Sequence, residues 1–415
     1  MHRSQALVFY CNIKSLSYTN AWERRKLGDV VKDVSGNDGR TDLPILTISA
    51  SLGWLEQKER FSQVIAGNQL QNYTLLRKGE LSYNHGNSKL AKYGVVIELK
   101  DLNEALVPKV YHSIKCSKYA NPTFLEYLFW SKIPDGELGK LISSSARMDG
   151  LLNISKQAFL GINITIPSVI EQTQIGNFFK QLDDTIANHQ RELEKYKNLK
   201  TSYLEKMFPK ENEAFPELRF PNFTDAWERR KLGDIAERIT RKNGDLSVTL
   251  PLTISAQEGL IAQTEFFDKQ VASKNISNYY VIENGEFAYN KSYSNGYPFG
   301  AIKRLDNYNN GVLSVLYIIF KPKDIYSQFL VSYFDSNYWH GEVASIAVEG
   351  ARNHGLLNIS SNDFFDIKLN IPKSLEEQTQ IGNFFKQLDD TIANHQRELE
   401  KYQKIKLAYL EKMFV

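Results

Sequence analysis

The chain has 415 residues, room for two domains of ordinary size or more. It is 42% hydrophobic and 24% charged, the balance of a folded globular protein, and no apolar run approaches the roughly 18 residues of a membrane span. The formal net charge of +3 is compatible with a nucleic-acid partner but does not demand one. Two cysteines, Cys11 and Cys116, cannot build a disulfide framework, which makes a cytoplasmic setting the expectation.

In chain order, residues 1–20 read as a leader, because they have no matching counterpart later in the chain. Leu43–Ala50 is a strand candidate, and Gly79-Glu-Leu-Ser-Tyr-Asn84 reads as a turn plus a strand. Val95–Leu99 is a third strand candidate, and Phe124–Trp130 looks helical. Gly150-Leu-Leu-Asn-Ile-Ser155 reads as a strand ending on Ser155, which is placed to cap a short helix. Ser168-x-x-Glu171 then forms a capping box just after Ile166-Pro167. Apolar residues follow at steps of mostly three and four, through Ile175, Phe178, Leu182, Ile186, Leu193, Tyr196 and Tyr203. That is one face of a single long helix of about 40 residues, roughly 60 Å. His189 falls on this stripe and reads as a packed side chain. Pro209–Pro221, with three prolines and mixed charge, reads as an interdomain linker.

The remainder of the chain repeats this order. Ala21–Asp29 recurs unchanged as Ala226–Asp234, Leu46–Ala50 as Leu252–Ala256, and Gly150–Ser155 as Gly355–Ser360. Glu171–Tyr196 recurs without a change as Glu377–Tyr402, always about 205 residues on. Between these matches the copies diverge: 51–78 and 257–284 share almost nothing, nor do 86–145 and 292–350 beyond scattered aromatics. Phe329–Tyr338 looks helical and Leu313–Phe320 strand-like in the second copy. Drift alone would not spare one long run while erasing others, so the pattern implies a shared scaffold carrying two different recognition surfaces. The seam residues Phe178, Leu182, Ile186 and Leu193, with their twins Phe384, Leu388, Ile392 and Leu399, are expected to pack helix on helix and to meet partners. Identical helices related by a perpendicular twofold run antiparallel, so the chain reads as a pseudo-dimer of cyclic repeat order. The segment Lys197–Ser202 departs from Gln403–Ala408 and reads as permissive to insertion.

Catalytic patterns are missing from the sequence. There is no Gly-x-Gly-x-x-Gly, phosphate-loop or His-Glu-x-x-His motif, and no Cys/His spacing suits zinc. Asn121-Pro-Thr-Phe124 is one residue from a motif of amino-methyltransferases, but reads as a proline turn opening a helix. Glu98-Leu-Lys100 and Asp135…Glu137…Lys140 superficially resemble nuclease carboxylate–lysine sites. The second copy lacks both, so they are assigned to solvated faces, and no catalytic residue or metal ligand is expected in this chain.

Polar, aromatic and basic loops remain. Asn84, His85, Asn87, Lys89 and Lys92 in the first copy correspond to Asn290, Lys291, Tyr293 and Asn295 in the second. Asparagine and lysine can bond base edges, and lysine can neutralise phosphate. Arg147 and Arg352 are retained just before Gly-Leu-Leu-Asn-Ile-Ser, which suits a DNA-backbone contact common to both halves.

Trp-Glu-x-Arg-Lys-Leu-Gly-Asp opening each half, Gly-Glu-x-x-Tyr-Asn, Asn-Ile-Ser, and Ile-Pro…Glu-Gln-x-x-Ile-Gly-x-Phe-Phe…Leu-Asp-Asp-x-Ile together resemble the specificity subunit of type I restriction–modification enzymes. The resemblance covers 21–415, with Pro216-Glu-Leu-Arg-Phe-Pro221 as the usual lead-in to a half; Met1–Ser17 lacks that lead-in. It implies an α+β fold: target-recognition domains at 21–167 and 226–372, conserved long helices at 168–208 and 373–415, and a linker at 209–225. It implies a non-catalytic subunit that reads a bipartite double-stranded DNA site and docks two modification (methyltransferase) subunits, with restriction subunits completing the nuclease. S-adenosylmethionine, ATP and Mg then belong to the partners, with no cofactor in this chain. The alternative is a self-contained DNA methyltransferase or nuclease.

Overall fold

The computed structural model describes residues 21–61, 67–86, 88–142, 152–255, 258–266, 275–293, 296–347 and 357–414. The chain divides into two compact units. The first contains residues up to His189 together with those from Glu398 onward; the second runs from Gln190 to Arg397. Each unit is therefore completed by a stretch of chain from the other end of the repeat.

In the first unit, strand Glu23–Lys26 pairs antiparallel with Asn163–Ile166, immediately before the long helix begins. A four-stranded antiparallel sheet follows in the spatial order Val31–Val34, His112–Cys116, Leu81–Asn84, Val95–Glu98. Two smaller pairs, Leu46–Ser49 with Gly53–Glu56 and Thr74–Arg77 with Glu104–Val107, build a second layer. Leu46, Ile48, Leu76, Ile97 and Val107 form the core of that layer. The main core gathers Tyr83, Phe124, Phe159 and Phe179 with Leu410 and Phe414 from the end of the second long helix.

The second unit repeats this plan. Glu228–Lys231 pairs with Lys368–Ile371, and the four-stranded sheet runs Ala236–Ile239, Ile318–Pro322, Phe287–Asn290, Ala301–Arg304. Its main core holds Tyr289, Phe329, Phe364 and Phe385 with Met207 and Phe208 from the end of the first long helix. The two long helices, Val169–Lys206 and Leu375–Lys412, each have 38 residues, about 57 Å.

Within each unit the helix segments run antiparallel. In the first, Phe178 meets Tyr409 edge-on at 5.0 Å, and the His189 ring stacks on Tyr402 at 5.6 Å. In the second, Tyr203 meets Phe384 at 5.0 Å and His395 stacks on Tyr196 at 5.6 Å. The stripe histidines are packed side chains, as their spacing predicts. All eight seam residues are buried or half-buried.

Several local expectations change. The capping boxes are only half formed: the Ser168 and Ser374 hydroxyls accept from the Glu171 and Glu377 amides, but those carboxylates turn elsewhere. Glu171 accepts from the Trp22 indole, and Glu377 from Trp227 and both nitrogens of an Arg219 fork. The Trp-Glu opening of each half is thus tied to the start of its own long helix. The 209–225 stretch is no free linker: it folds onto the second unit through Arg219, through Trp227 N donating to Ala214 O, and through Phe220 against Phe384. Among the described residues Leu152–Ser155 pairs in no sheet and holds a tight turn in which Ile154 N donates to Leu152 O at 2.9 Å, in place of the strand expected there, whereas Ser155 and Ser360 do cap the short helices that follow. Asn121 caps the Pro122–Trp130 helix, with proline in its first turn.

Candidate nucleic-acid interface

The loops that differ between the copies leave the same place in each unit, the end of a central sheet strand. In the first unit that strand is Leu81–Asn84. Tyr83 is fully buried, stacks on Phe159 at 4.4 Å, and donates its hydroxyl to Tyr93 O at 2.7 Å, closing the 85–93 loop. Burial pushes the Tyr83 phenol well above its ordinary value, so it stays protonated and remains a donor. Gly94 ends the loop at φ +83°, where a Cβ would sit 2.4 Å from Asn84 O, so only glycine fits. Asn84 Oδ1 accepts from Gly86 N at 3.1 Å, an Asx turn that starts the loop.

The second unit uses the same parts. Tyr289 stacks on Phe364 at 4.6 Å and donates to Phe299 O at 2.9 Å. Gly300 has φ +77°, and Asn290 Oδ1 accepts from Ser292 N at 3.0 Å. The buried Glu80 and Glu286 hold the preceding turns by accepting from Arg77 N and Glu283 N. The glutamate, tyrosine and asparagine of Gly-Glu-x-x-Tyr-Asn therefore serve the framework, and the divergent loop begins after them.

This changes the assignment of several candidate residues. His85 is 4% exposed, with Nδ1 2.7 Å from Leu152 O and Nε2 3.0 Å from Val110 O, so it does not present its ring to a ligand. Asn84 and Asn290 are half-buried, with their carbonyl oxygens spent on their own turns. Lys291 is half-buried and donates to Ile359 O at 3.1 Å. Lys89, Lys92 and Tyr293 are exposed and face outward. Asn87, Arg147, Asn295 and Arg352 lie outside the described residues.

The structure adds features that composition could not signal. Beside the basic loop of the first unit, Leu90 is 69% exposed, and Leu52 at the tip of the 46–56 hairpin is 70% exposed. That hairpin reaches the loop through Asn84 Nδ2 donating to Ile48 O at 3.4 Å. Val110 and its register twin Leu316 are also exposed. Apolar tips among lysines suit a surface that meets thymine methyl groups and phosphates together. Their signal in the sequence was only an apolar residue inside a turn, which is weak.

The nuclease-like patterns are structural. Glu98 is buried and accepts from the Thr123 hydroxyl at 2.7 Å, and Lys100 pairs with buried Glu126, so this cluster is not the solvated face expected of it. Burial lifts the Glu126 carboxyl to about 7 against the opposing pull of Lys100. Glu137 accepts from the Asn163 amide at 3.2 Å and pairs with Lys140. Among the described residues no group of three or more histidine, cysteine or acidic side chains could hold a metal ion, and no helix is long and apolar enough to cross a membrane.

A domain built twice on one framework, with unlike loops at the same strand end and a long helix after each, defines a two-part recognition protein. Residues 224–404 match the family model of the type I restriction modification DNA specificity domain. The chain is 24% identical over 293 residues to the type I restriction enzyme MjaVIII specificity subunit of Methanocaldococcus jannaschii, covering 68% of this chain and 67% of that one. Its fold is shared with the type I restriction–modification S subunit of M. genitalium, at 17% identity and TM-score 0.59 over 97% of this chain and 98% of that one. The HsdS subunit of Thermoanaerobacter tengcongensis aligns over 96% of this chain and 98% of that one, at 16% identity and TM-score 0.46. The first half repeats much of the matched segment's framework, so the similarity to type I restriction–modification specificity subunits extends to both halves of the chain.

Proposed function

We propose that this chain is the non-catalytic DNA-reading subunit of a type I restriction–modification complex. Each unit reads one part of a bipartite double-stranded target, and the long helices space the parts and dock two modification (methyltransferase) subunits. Restriction subunits join that assembly, and S-adenosylmethionine, ATP and Mg act in the partners, in the cytoplasm where the DNA is. The observation that carries this reading is the strand end after Tyr83-Asn84 and Tyr289-Asn290, where an identical framework releases two unlike loops. Lys89 and Lys92 supply phosphate neutralisation, and binding is expected to weaken steeply with salt.

The test is an exchange of residues 30–166 for the corresponding segment of another family member, followed by methylation mapping with the modification subunits present. One half-site should change and the other stay. A change in both would sink the modular reading, and tight S-adenosylmethionine binding by the isolated chain would sink the non-catalytic one.

A further inference from the structure

Both units carry Tyr-Asn at the end of the central strand, Tyr83-Asn84 and Tyr289-Asn290, and the next residue differs: His85 in one, Lys291 in the other. Both make the same backbone contact, since Leu152 N donates to His85 O and Leu357 N to Lys291 O, each at 2.9 Å. Both also sit in a cluster that sends nitrogen donors to carbonyls of the segment that follows. In the second unit Lys291 Nζ donates to Ile359 O at 3.1 Å. In the first unit the twin carbonyl, Ile154 O, is met by His112 Nε2 at 2.8 Å, and the His112 ring stacks on His85 at 4.8 Å. His85 itself faces Leu152 O and Val110 O. Two stacked histidines thus do in one unit what one lysine does in the other.

A carbonyl only accepts, and lysine and imidazole are both N–H donors, so the chemistry of the contact is retained although the residues are unlike. The register twin of His112 is Ile318, each paired with the strand tyrosine of its unit, and an isoleucine side chain cannot donate; the lysine makes a donor there unnecessary. The segments so joined are the start of the divergent loop and the stretch Leu152–Ile154 or Leu357–Ile359. We propose that the His85–His112 pair and Lys291 are positioning residues. Each pins the start of its unit's divergent loop to the stretch Leu152–Ile154 or Leu357–Ile359, so that the loop leaves the sheet in one preorganised direction, and the two pins are interchangeable. This rests on the DNA-reading function proposed above.

The test uses the full chain assembled with its modification subunits. Discrimination is measured as the ratio of methylation kcat/KM on the cognate site to that on sites carrying one changed base in either half. H85A/H112A is expected to lower discrimination about tenfold in one half-site only, with KM raised more than kcat is lowered. K291M should do the same to the other half-site. H85K/H112I, which installs the second unit's pin in the first, should restore discrimination. Equal loss in both halves, no loss in either pin variant, or a folded H85K/H112I variant that stays undiscriminating would each overturn the proposal. If H85A/H112A does not fold, K291M and the exchange variant decide the matter alone. Wild-type protein that reads neither half-site would instead defeat the underlying functional reading.

Discussion

Phe414 offers a direct test of how the units are completed. It follows Phe179 by more than 200 residues, yet its ring lies 5.7 Å from Phe179, 5.6 Å from Phe124 and 6.3 Å from Trp22, and it is 4% exposed. Its twin Phe208 does the same service in the second unit, against Trp227, Phe329 and Phe385. Truncating a buried phenylalanine to alanine costs about 3–5 kcal/mol, the transfer term plus the cavity left behind. For a unit of this size each kcal/mol lowers the unfolding midpoint by about 2–4 °C, so Phe414→Ala should lower it by roughly 6–20 °C. The loss should fall on the first unit, while Phe208→Ala should strike the second. Scanning calorimetry gives the midpoint, and hydrogen exchange read peptide by peptide assigns it. Lost protection in the second unit on Phe414→Ala, or none in either, would refute the exchange of helix ends on which both cores rest.

Two further outcomes follow from buried charge. Arg219→Ala leaves Glu377, 1% exposed, without its guanidinium, which should destabilise the second unit by about 3–5 kcal/mol; pairing it with Glu377→Gln should recover part, as calorimetry would show. Burial holds the His112 imidazole below the ordinary 6.5, against the opposing effect of its bond to Ile154 and of Asp33 and together with the nearby His85 and Lys156. The folded unit then binds that proton less readily than the unfolded chain, so stability is full above pH 6.5 and is lost as pH falls through the lower folded value. His112→Ile, the residue found at that register in the second unit, should flatten this part of the acid response of the first unit in pH-dependent unfolding.

Much of this fold was legible because it is written twice. Identity between copies marks what the framework needs, and among the described residues several retained side chains hold that framework together. Tyr83 and Tyr289 close the loops, Glu171 and Glu377 accept from the indoles, and the Phe178-Phe179 and Phe384-Phe385 pairs fill the cores. At Asn84 and Asn290 retention also reports the turn that their side-chain oxygens hold at the start of each loop. His85 misled: a polar residue in a loop looks accessible, and nothing local announces that Leu152 and Val110 will fold over it. Divergence between copies was equally ambiguous. It marks recognition loops, but also any place where the two cores surround one retained contact differently. Lys200 bonds Asp389 at 2.6 Å in the second unit and its twin Lys406 bonds Asp183 at 2.6 Å in the first; Lys200 has Asp335 as a second partner at 2.7 Å, where Lys406 instead lies over the Tyr127 and Trp130 rings.

That last contrast relocates the experiment on spacing. Lys197–Ser202 is not permissive: Leu199 and Tyr203 pack on the second core and Lys200 sits in its buried ion pairs, so an insertion there would turn them out of place. The helices pass from one unit to the other between His189 and Gln190, and between Arg397 and Glu398. Four residues added at both points lengthen each connection by about 6 Å and rotate it by about 400°, only about 40° past a full turn. The apolar faces inside each unit then keep their own register. About 6 Å is nearly two base-pair rises of B-DNA, so the non-specific spacer should grow by one or two base pairs while both half-sites stay unchanged. Two residues at each point would turn the faces by about 200° and should abolish assembly. Methylation mapping of the four-residue variant decides between rulers: full activity on an unlengthened spacer would mean that something other than the helices sets the distance.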